Sequence, residues 1–372
     1  MIIRTDSEVL KKIHYSTTTV KCVRLMSKYD TCTKYIYSRK GNRKSSCIVI
    51  PGKPAKKDKE LPRAVKTVLN ALSYGGIEVE ASRRLADIKK MDPMRIFYRT
   101  LDAEVYNGDY KVPIRLFFPT EEAMETGAAS GGSPPVILFF HGGGWVTESV
   151  ENYERICARM AQSTGQIVAS VEYRLAPEYR FPTGLMDCYA VAKAFYTNRF
   201  LLNTDPERIT IMGDSAGGNL AAAVCMMARD RGEFKPQKQI LIYPALNNCY
   251  TEDSPFESVK TNGTGYLLTA EKMEDYLKLY ESSPEDRQNP YFAPILASDF
   301  RDLPDTLILT AEFDPLRDEG EEFGKRLLES GNHVEVHRIS EAFHGYFALG
   351  IKFLHVQESF TYMNRFLEEE RE

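Results

Sequence analysis

From residue 136 onward, short apolar runs alternate with segments in which apolar residues recur every three or four positions. The runs at 136–140, 167–173, 208–213, 239–244, 306–310 and 334–339 have strand length. They are apolar almost throughout, where a half-exposed strand would alternate. That pattern predicts strands buried on both faces, as in a parallel sheet covered by helices. The periodic segments at 152–163, 185–198, 216–230, 315–330 and 356–369 predict the covering helices. Strand and helix in regular alternation imply an α/β fold: a central, mostly parallel sheet with helices on both faces. Upstream, 102–106 and 111–119 read as two strands joined by a turn at Asn107-Gly108-Asp109. The spacing of Val65, Val68, Leu69 and Leu72, then Leu85 and Ile88, predicts two helices within 61–94.

One segment breaks the rhythm. Residues 246–289 insert a loop and an amphipathic helix on which Met273, Leu277 and Tyr280 share a face. Phe256, Tyr266, Leu267 and Leu268 add large apolar groups. An insertion after the carboxyl end of a strand lies over the site face of an open α/β sheet, so 246–289 is expected to form a helical lid, to which the helices of 61–100 contribute. The core is then 101–245 with 290–372. Residues 1–60 show no sustained period and end in Pro51-Gly52-Lys53-Pro54-Ala55-Lys56-Lys57. They are expected to be a basic, partly disordered appendage.

Charge and composition narrow the function classes. The net charge is −4, so nothing global favours nucleic acid. Residues 1–60 nevertheless hold 15 Lys/Arg against 5 Asp/Glu. The seven cysteines (Cys22, Cys32, Cys47, Cys157, Cys188, Cys225, Cys249) are scattered and include no Cys-x-x-Cys. That favours reduced thiols over a disulfide framework or a zinc site. No apolar run near the N-terminus has signal-peptide length, and none approaches the ~20 residues of a membrane span. A cytoplasmic protein without stable membrane insertion is expected.

The chemistry centres on Met212-Gly213-Asp214-Ser215-Ala216-Gly217-Gly218. A short apolar strand runs into Gly-x-Ser-x-Gly and an alanine-rich helix follows at once, the context of a nucleophile elbow. There the serine takes a strained backbone conformation, and side chains at 213 or 217 would collide with neighbouring elements. A serine hydroxyl needs a base, and the base an orienting acid. Among six histidines, His344 follows the last predicted strand, where a loop can carry it over Ser215. The acid is expected after the strand 306–310, where Asp314 precedes Pro315. Helix N-capping is the alternative duty for Asp314, and Glu312, Asp318 and Glu319 are rivals for the acid. The chain order serine, acid, histidine is that of the α/β-hydrolases.

A third feature is His141-Gly142-Gly143-Gly144-Trp145, directly after the strand 136–140. Its glycines expose backbone N–H groups, which with that of Ala216 could face a developing oxyanion. A phosphate cradle is the competing use, but the Lys-Ser/Thr ending is missing. Trp145 either walls a pocket or packs beneath the loop, and Tyr266 and Leu267 are further candidates to line the substrate pocket. No metal or cofactor motif is present.

These residues together resemble the hormone-sensitive lipase family of α/β-hydrolases, the group that includes many bacterial esterases. The resemblance runs from about Pro135 to the C-terminus and includes Tyr173-Arg174-Leu175-Ala176-Pro177-Glu178, Asp314-Pro315-Leu316 and His344-Gly345. It implies a Ser215–His344–Asp314 triad, an oxyanion hole from Gly143, Gly144 and Ala216, and cofactor-free hydrolysis of carboxylic esters with short to medium acyl chains. A homodimer is compatible with it. Tyr179-Arg180 depart from the pattern, because the family often has His-Pro after Pro-Glu. Two other functions share the fold: a small-molecule receptor that has lost its histidine, and an amidase or specialised deacetylase. The presence of His344 speaks against the receptor.

Overall fold

The computed structural model describes residues 78–88 (85–88 as backbone alone) and 98–369, except 127–132, 198–201, 203 and 351–352. It also describes residues 67, 69, 70 and 73 and the backbone of five strands within 14–51. Of these strands, β1 (His14–Tyr15) and β2 (Thr18–Thr19) pair with each other. The rest, β3 (Lys21–Leu25), β4 (Cys32–Ser38) and β5 (Ser46–Pro51), join a larger sheet.

That sheet is completed by β6 (Thr100–Asn107), β7 (Tyr110–Phe117), β8 (Val136–Phe140), β9 (Ile167–Val171), β10 (Ile209–Asp214), β11 (Lys238–Ile242), β12 (Asp305–Phe313) and β13 (Val334–Phe343). Its order is β3-β4-β5-β13-β12-β11-β10-β8-β9-β7-β6. From β5 to β9 every neighbouring pair is parallel, and β7 and β6 close the far edge antiparallel. The hairpin β6–β7 turns at Gly108-Asp109, as the pattern of alternation predicts.

Why the central strands are apolar on both sides is visible in the packing. Val136, Leu138 and Phe140 of β8 point into one core, with the helices Thr183–Thr197, Ala216–Arg231 and Arg317–Glu329. Ile137 and Phe139 point into the other, with Val150–Thr164 and Leu354–Glu368. Each fully buried aliphatic side chain contributes about 1.5–3 kcal/mol, so the alternation supplies both layers from one strand. Local signals set the helix ends. Ser149 accepts a hydrogen bond from Asn152 N–H at the start of Val150–Thr164, and Gly165 closes it in the left-handed conformation. Strand and helix bounds agree with the sequence pattern to within about four residues. The largest departures, at two strand ends, matter: β12 and β13 run on to Phe313 and Phe343, immediately before Asp314 and His344.

Between β11 and β12 lies the insertion, with helices Glu257–Asn262 and Ala270–Tyr280. Met273, Leu277 and Tyr280 are its buried stripe, as their spacing predicts. The short helix Glu257–Asn262 has no such period and escapes that reading. No described helix is long and apolar enough to cross a membrane.

A buried acid ties the insertion to the core. Glu319, on the helix Arg317–Glu329, accepts hydrogen bonds from Leu246 N–H (2.7 Å) and the Tyr250 hydroxyl (2.8 Å). It is fully buried, with no ion-pair partner among the described residues. Burial therefore pushes its carboxyl up from 4.5 to about 8, against those two donors.

Two stability predictions follow from this packing. Across the window from 4.5 to about 8, the folded chain keeps the Glu319 proton that the unfolded chain has lost. Stability must then fall as pH rises through that window. Glu319→Gln cannot titrate, so thermal melts across this range should show a flatter decline than wild type; parallel curves would refute the burial account. At the elbow, a Cβ on Gly217 would press into the carbonyl oxygens of Phe140 and His141. Gly217→Ala should cost about 1–3 kcal/mol or more by overpacking, seen as a melting temperature lower by several degrees.

Candidate active site

Register alone brings the distant motifs together. Gly213 of β10 pairs with Phe140 of β8, so the segment Asp214-Ser215 lies beside His141-Gly142. On the other flank Ser215 N–H donates to Ile242 O of β11 (2.9 Å). Phe313 pairs with Phe343 after an irregularity in the β12–β13 ladder, which sets Asp314 next to His344. Residues 215, 314 and 344 thus meet at the carboxyl edge of the sheet.

Ser215 has φ 55° and ψ −119°, the strained conformation expected of an elbow. Its Oγ is 2.9 Å from His344 Nε2, and His344 Nδ1 is 2.7 Å from Asp314 Oδ2. Asp314 is fully buried and Ser215 is 9% exposed. A carboxylate can only accept, so the proton sits on Nδ1 and Nε2 is left to accept from the serine hydroxyl. Asp314 Oδ1 also accepts from Leu316 N–H (2.9 Å), so the carboxylate serves the adjoining turn as well as the imidazole. Its rivals are occupied elsewhere. Glu312 accepts from Glu341 N–H (2.7 Å), Asp318 pairs with Arg317 and accepts from Ser258 N–H, and Glu319 holds the insertion. His337 is buried in β13 against Glu335 (2.9 Å) and stacks on Tyr362.

The glycine loop is shaped by positive φ at Gly143 (111°) and Gly144 (62°). Its turn is closed by Val146 and Thr147 N–H donating to Gly143 O (3.1 and 2.9 Å). None of the N–H groups of Gly143, Gly144 and Ala216 has an acceptor among the described residues. Trp145 is 2% exposed and stacks on Tyr280 (4.6 Å, 4°). Tyr266 stacks on Phe313 (5.2 Å), the residue before Asp314, and Leu267 lies beside Gly345. Leu69 joins Tyr266 and Phe313 in a small apolar cluster, and Ser73 donates to Tyr266 O (2.8 Å).

Two supports of the site were given no role by the sequence reading. Asp214, the variable residue of Gly-x-Ser-x-Gly, accepts from Gly142 N–H (2.9 Å), Tyr153 hydroxyl (2.9 Å) and Tyr243 hydroxyl (3.3 Å). It joins the elbow to the glycine loop. Burial pushes its carboxyl up to about 6, although Tyr153 and nearby imidazoles oppose this. Tyr243 in turn packs on the His344 ring (4.7 Å). An acid at the end of an otherwise doubly buried strand was the available signal. Arg83 is the second support: it donates to Val146 O and Ala176 O (both 3.0 Å) and forms a bidentate pair with Glu178. Its helix, Val79–Ile88, is thereby fastened to the glycine loop.

No described cluster of His, Cys, Asp or Glu could hold a metal ion. Two cavities of about 740 and 450 Å³ lie along the flank near β6, β7 and Arg174, and neither is lined by Ser215. The arrangement around Ser215 is equipped for attack on a carbonyl: a nucleophile, a base held in one tautomer, and nearby backbone N–H groups without an acceptor among the described residues.

Comparison with known proteins agrees with this geometry. Residues 137–348, more than half of the chain, match the family model for the alpha/beta hydrolase fold. An arylesterase of Saccharolobus solfataricus is 34% identical over 271 residues, covering 73% of this chain and 83% of the relative. The carboxylesterase NlhH of Mycobacterium tuberculosis is 32% identical over 278 residues, covering 73% and 82%. Among solved structures, an esterase of Pyrobaculum calidifontis superposes with a TM-score of 0.74 at 33% identity, covering 83% of this chain and 98% of its own. The chain therefore belongs to the α/β-hydrolase family, in its hormone-sensitive lipase group.

Proposed function

We infer that the chain is a serine carboxylesterase that works through an acyl-enzyme on Ser215. The observation that carries the reading is the continuous hydrogen-bonded line from Ser215 Oγ through His344 to the buried Asp314. Ser215 Oγ attacks the ester carbonyl carbon as His344 Nε2 takes its proton. Asp314 holds the imidazole in the required tautomer and stabilises the imidazolium that forms. The carbonyl oxygen becomes negative and is met by the N–H groups of Gly143, Gly144 and Ala216, each typically worth about 2.7–4 kcal/mol in the transition state. His344 then protonates the leaving alcohol. In the second half it takes a proton from water, which attacks the acyl carbon, and it returns that proton to Ser215 Oγ as the acyl–Oγ bond breaks and the acid leaves.

Short to medium acyl chains are the proposed substrates. Supporting this, an ethyl acetate hydrolase of Pseudomonas putida is 32% identical over 242 residues. Ser215 is also nearly enclosed. The insertion 246–289 acts as the lid, joined by the helical residues near Leu69 and Ser73 that hold Tyr266. A receptor role would not need an imidazole bonded on both sides, so the catalytic reading is preferred.

Ser215→Ala should lower hydrolysis of p-nitrophenyl acetate by at least ~10⁴-fold, and Asp314→Asn by ~10³–10⁴-fold through the wrong tautomer. An organophosphonate should label wild type at Ser215 alone. Full turnover by Ser215→Ala would overturn the assignment. A panel of p-nitrophenyl esters should show kcat/KM highest between acetyl and octanoyl and low for palmitoyl; a palmitoyl optimum would overturn the chain-length reading. Asp214→Asn cannot accept from Gly142 N–H and Tyr153 hydroxyl with both its atoms, so kcat should fall ~10-fold or more with Ser215 labelling retained.

A further inference from the structure

The glycine loop is held from above by the insertion, through contacts that none of the recognised motifs includes. The Tyr276 ring, on the helix Ala270–Tyr280, lies where a side chain on Gly144 would project. The Tyr276 hydroxyl reaches the Thr147 side chain, and the Thr147 hydroxyl donates to Gly143 O (2.9 Å). One turn further along the same helix, Tyr280 stacks flat on Trp145. Two successive rings of one helix therefore cover Gly144 and Trp145.

The helix is in turn latched to the core by Arg180, one of the two residues that depart from the family pattern, and by its neighbour Phe181. Arg180 donates to Lys278 O (3.0 Å) and Glu281 O (2.6 Å) at the C-terminal end of Ala270–Tyr280. These are carbonyls that a helix end otherwise leaves to solvent, and a cation is favoured there. Phe181 N–H donates to Tyr280 O (2.8 Å), and the Phe181 ring meets Tyr280 and Phe292 edge-on.

We propose that Tyr276 is a positioning residue of the oxyanion hole, seating Gly144 in donor geometry, and that Arg180 is the latch that keeps its helix in place. This rests on the esterase reading and on Gly143, Gly144 and Ala216 as the donors. A glycine at φ 62° has wide freedom, and a ring packed against its Cα removes it. The hole is then complete only while the helix is docked. The insertion thus contributes to turnover at the loop as well as roofing the pocket.

The test uses the full chain and an aryl trifluoromethyl ketone alongside p-nitrophenyl butyrate. Ser215 Oγ adds to the ketone carbon, its proton passes to His344, and the ketone oxygen becomes an oxyanion in the hole. Tyr276→Ala should lower kcat ~10–100-fold, the range expected for a misplaced donor, with KM changed less than about threefold. The ketone inhibition constant should rise by the same factor as kcat/KM falls. Phosphonate titration should still count one reactive Ser215 per chain. Tyr276→Phe, which keeps the ring, should recover most of the loss. Arg180→Met should shift kcat and the ketone constant in the same direction by a smaller factor.

A purely structural role would lower the titrated fraction and leave the ketone constant of the surviving sites unaltered; that result overturns the proposal. So does a kcat per titrated site within twofold of wild type. If Tyr276→Ala folds poorly, Tyr276→Leu, which keeps bulk and loses the ring, must show the same proportional change or the proposal fails. A wild-type chain that neither hydrolyses esters nor labels at Ser215 overturns the esterase reading and this proposal together. An active wild type with an indifferent Tyr276 overturns only this one.

Discussion

The close approach of the helix Ala216–Arg231 to the end of β8 is the constraint on which the site depends. Gly217 sits against the Phe140 carbonyl, and Gly213 against Gly217, at separations that no Cβ would survive. With the helix so near, the chain must reverse within one residue. Ser215 absorbs the turn at φ 55°. The strain is offset by a helix that buries nearly its whole length between the sheet and its neighbours. The same approach carries the first helical N–H groups to the edge where the glycine loop leaves β8.

Around that point the structure uses buried acids in three different ways. Asp314 is paired with an imidazole and orients it. Asp214 is bonded to one backbone donor and two phenols, joining the elbow to the glycine loop. Glu319 is enclosed with a backbone N–H and a phenol at the root of the insertion. The last two are pushed up, to about 6 and about 8, because burial outweighs the donors they receive. Glu319, at about 8, stays protonated near neutral pH and can bridge elements of the interior without a counter-ion. The carboxylesterase thus sets Asp314 beside the histidine and uses the other two acids as ties.

Elements remote in sequence converge on the glycine loop. Arg83 reaches Val146 O from the N-terminal side, Asp214 holds Gly142 from below, and Tyr276 and Tyr280 cover Gly144 and Trp145 from the insertion. A loop with three consecutive glycines has little stiffness of its own. Its order is imported, and most of it comes from side chains more than sixty positions away.

How much was legible in the chain itself depends on the range of the interaction. Strands apolar on both faces, helices with a 3.6-residue stripe, the elbow glycines and the placing of acid and histidine after their strands are local regularities. They were readable because backbone sterics and burial act on neighbouring residues. The helix of the insertion was readable for the same reason, and Glu257–Asn262 was not, because six residues carry too little period. Other matters waited on tertiary structure. Asp314 was chosen over Glu312, Asp318 and Glu319 by the β12–β13 register, which sets residue 314 beside 344. Trp145 could wall a pocket or pack until Tyr280 came to lie flat upon it. Tyr276 has no signature, and Asp214 shows only as an acid at the end of a doubly buried strand, because their partners are set by pairing and docking across the fold. The chain by itself determined which chemistry was available and where each element would begin. Only the folded sheet decided which side chains meet, since contact between distant residues depends on register and packing that no local pattern encodes.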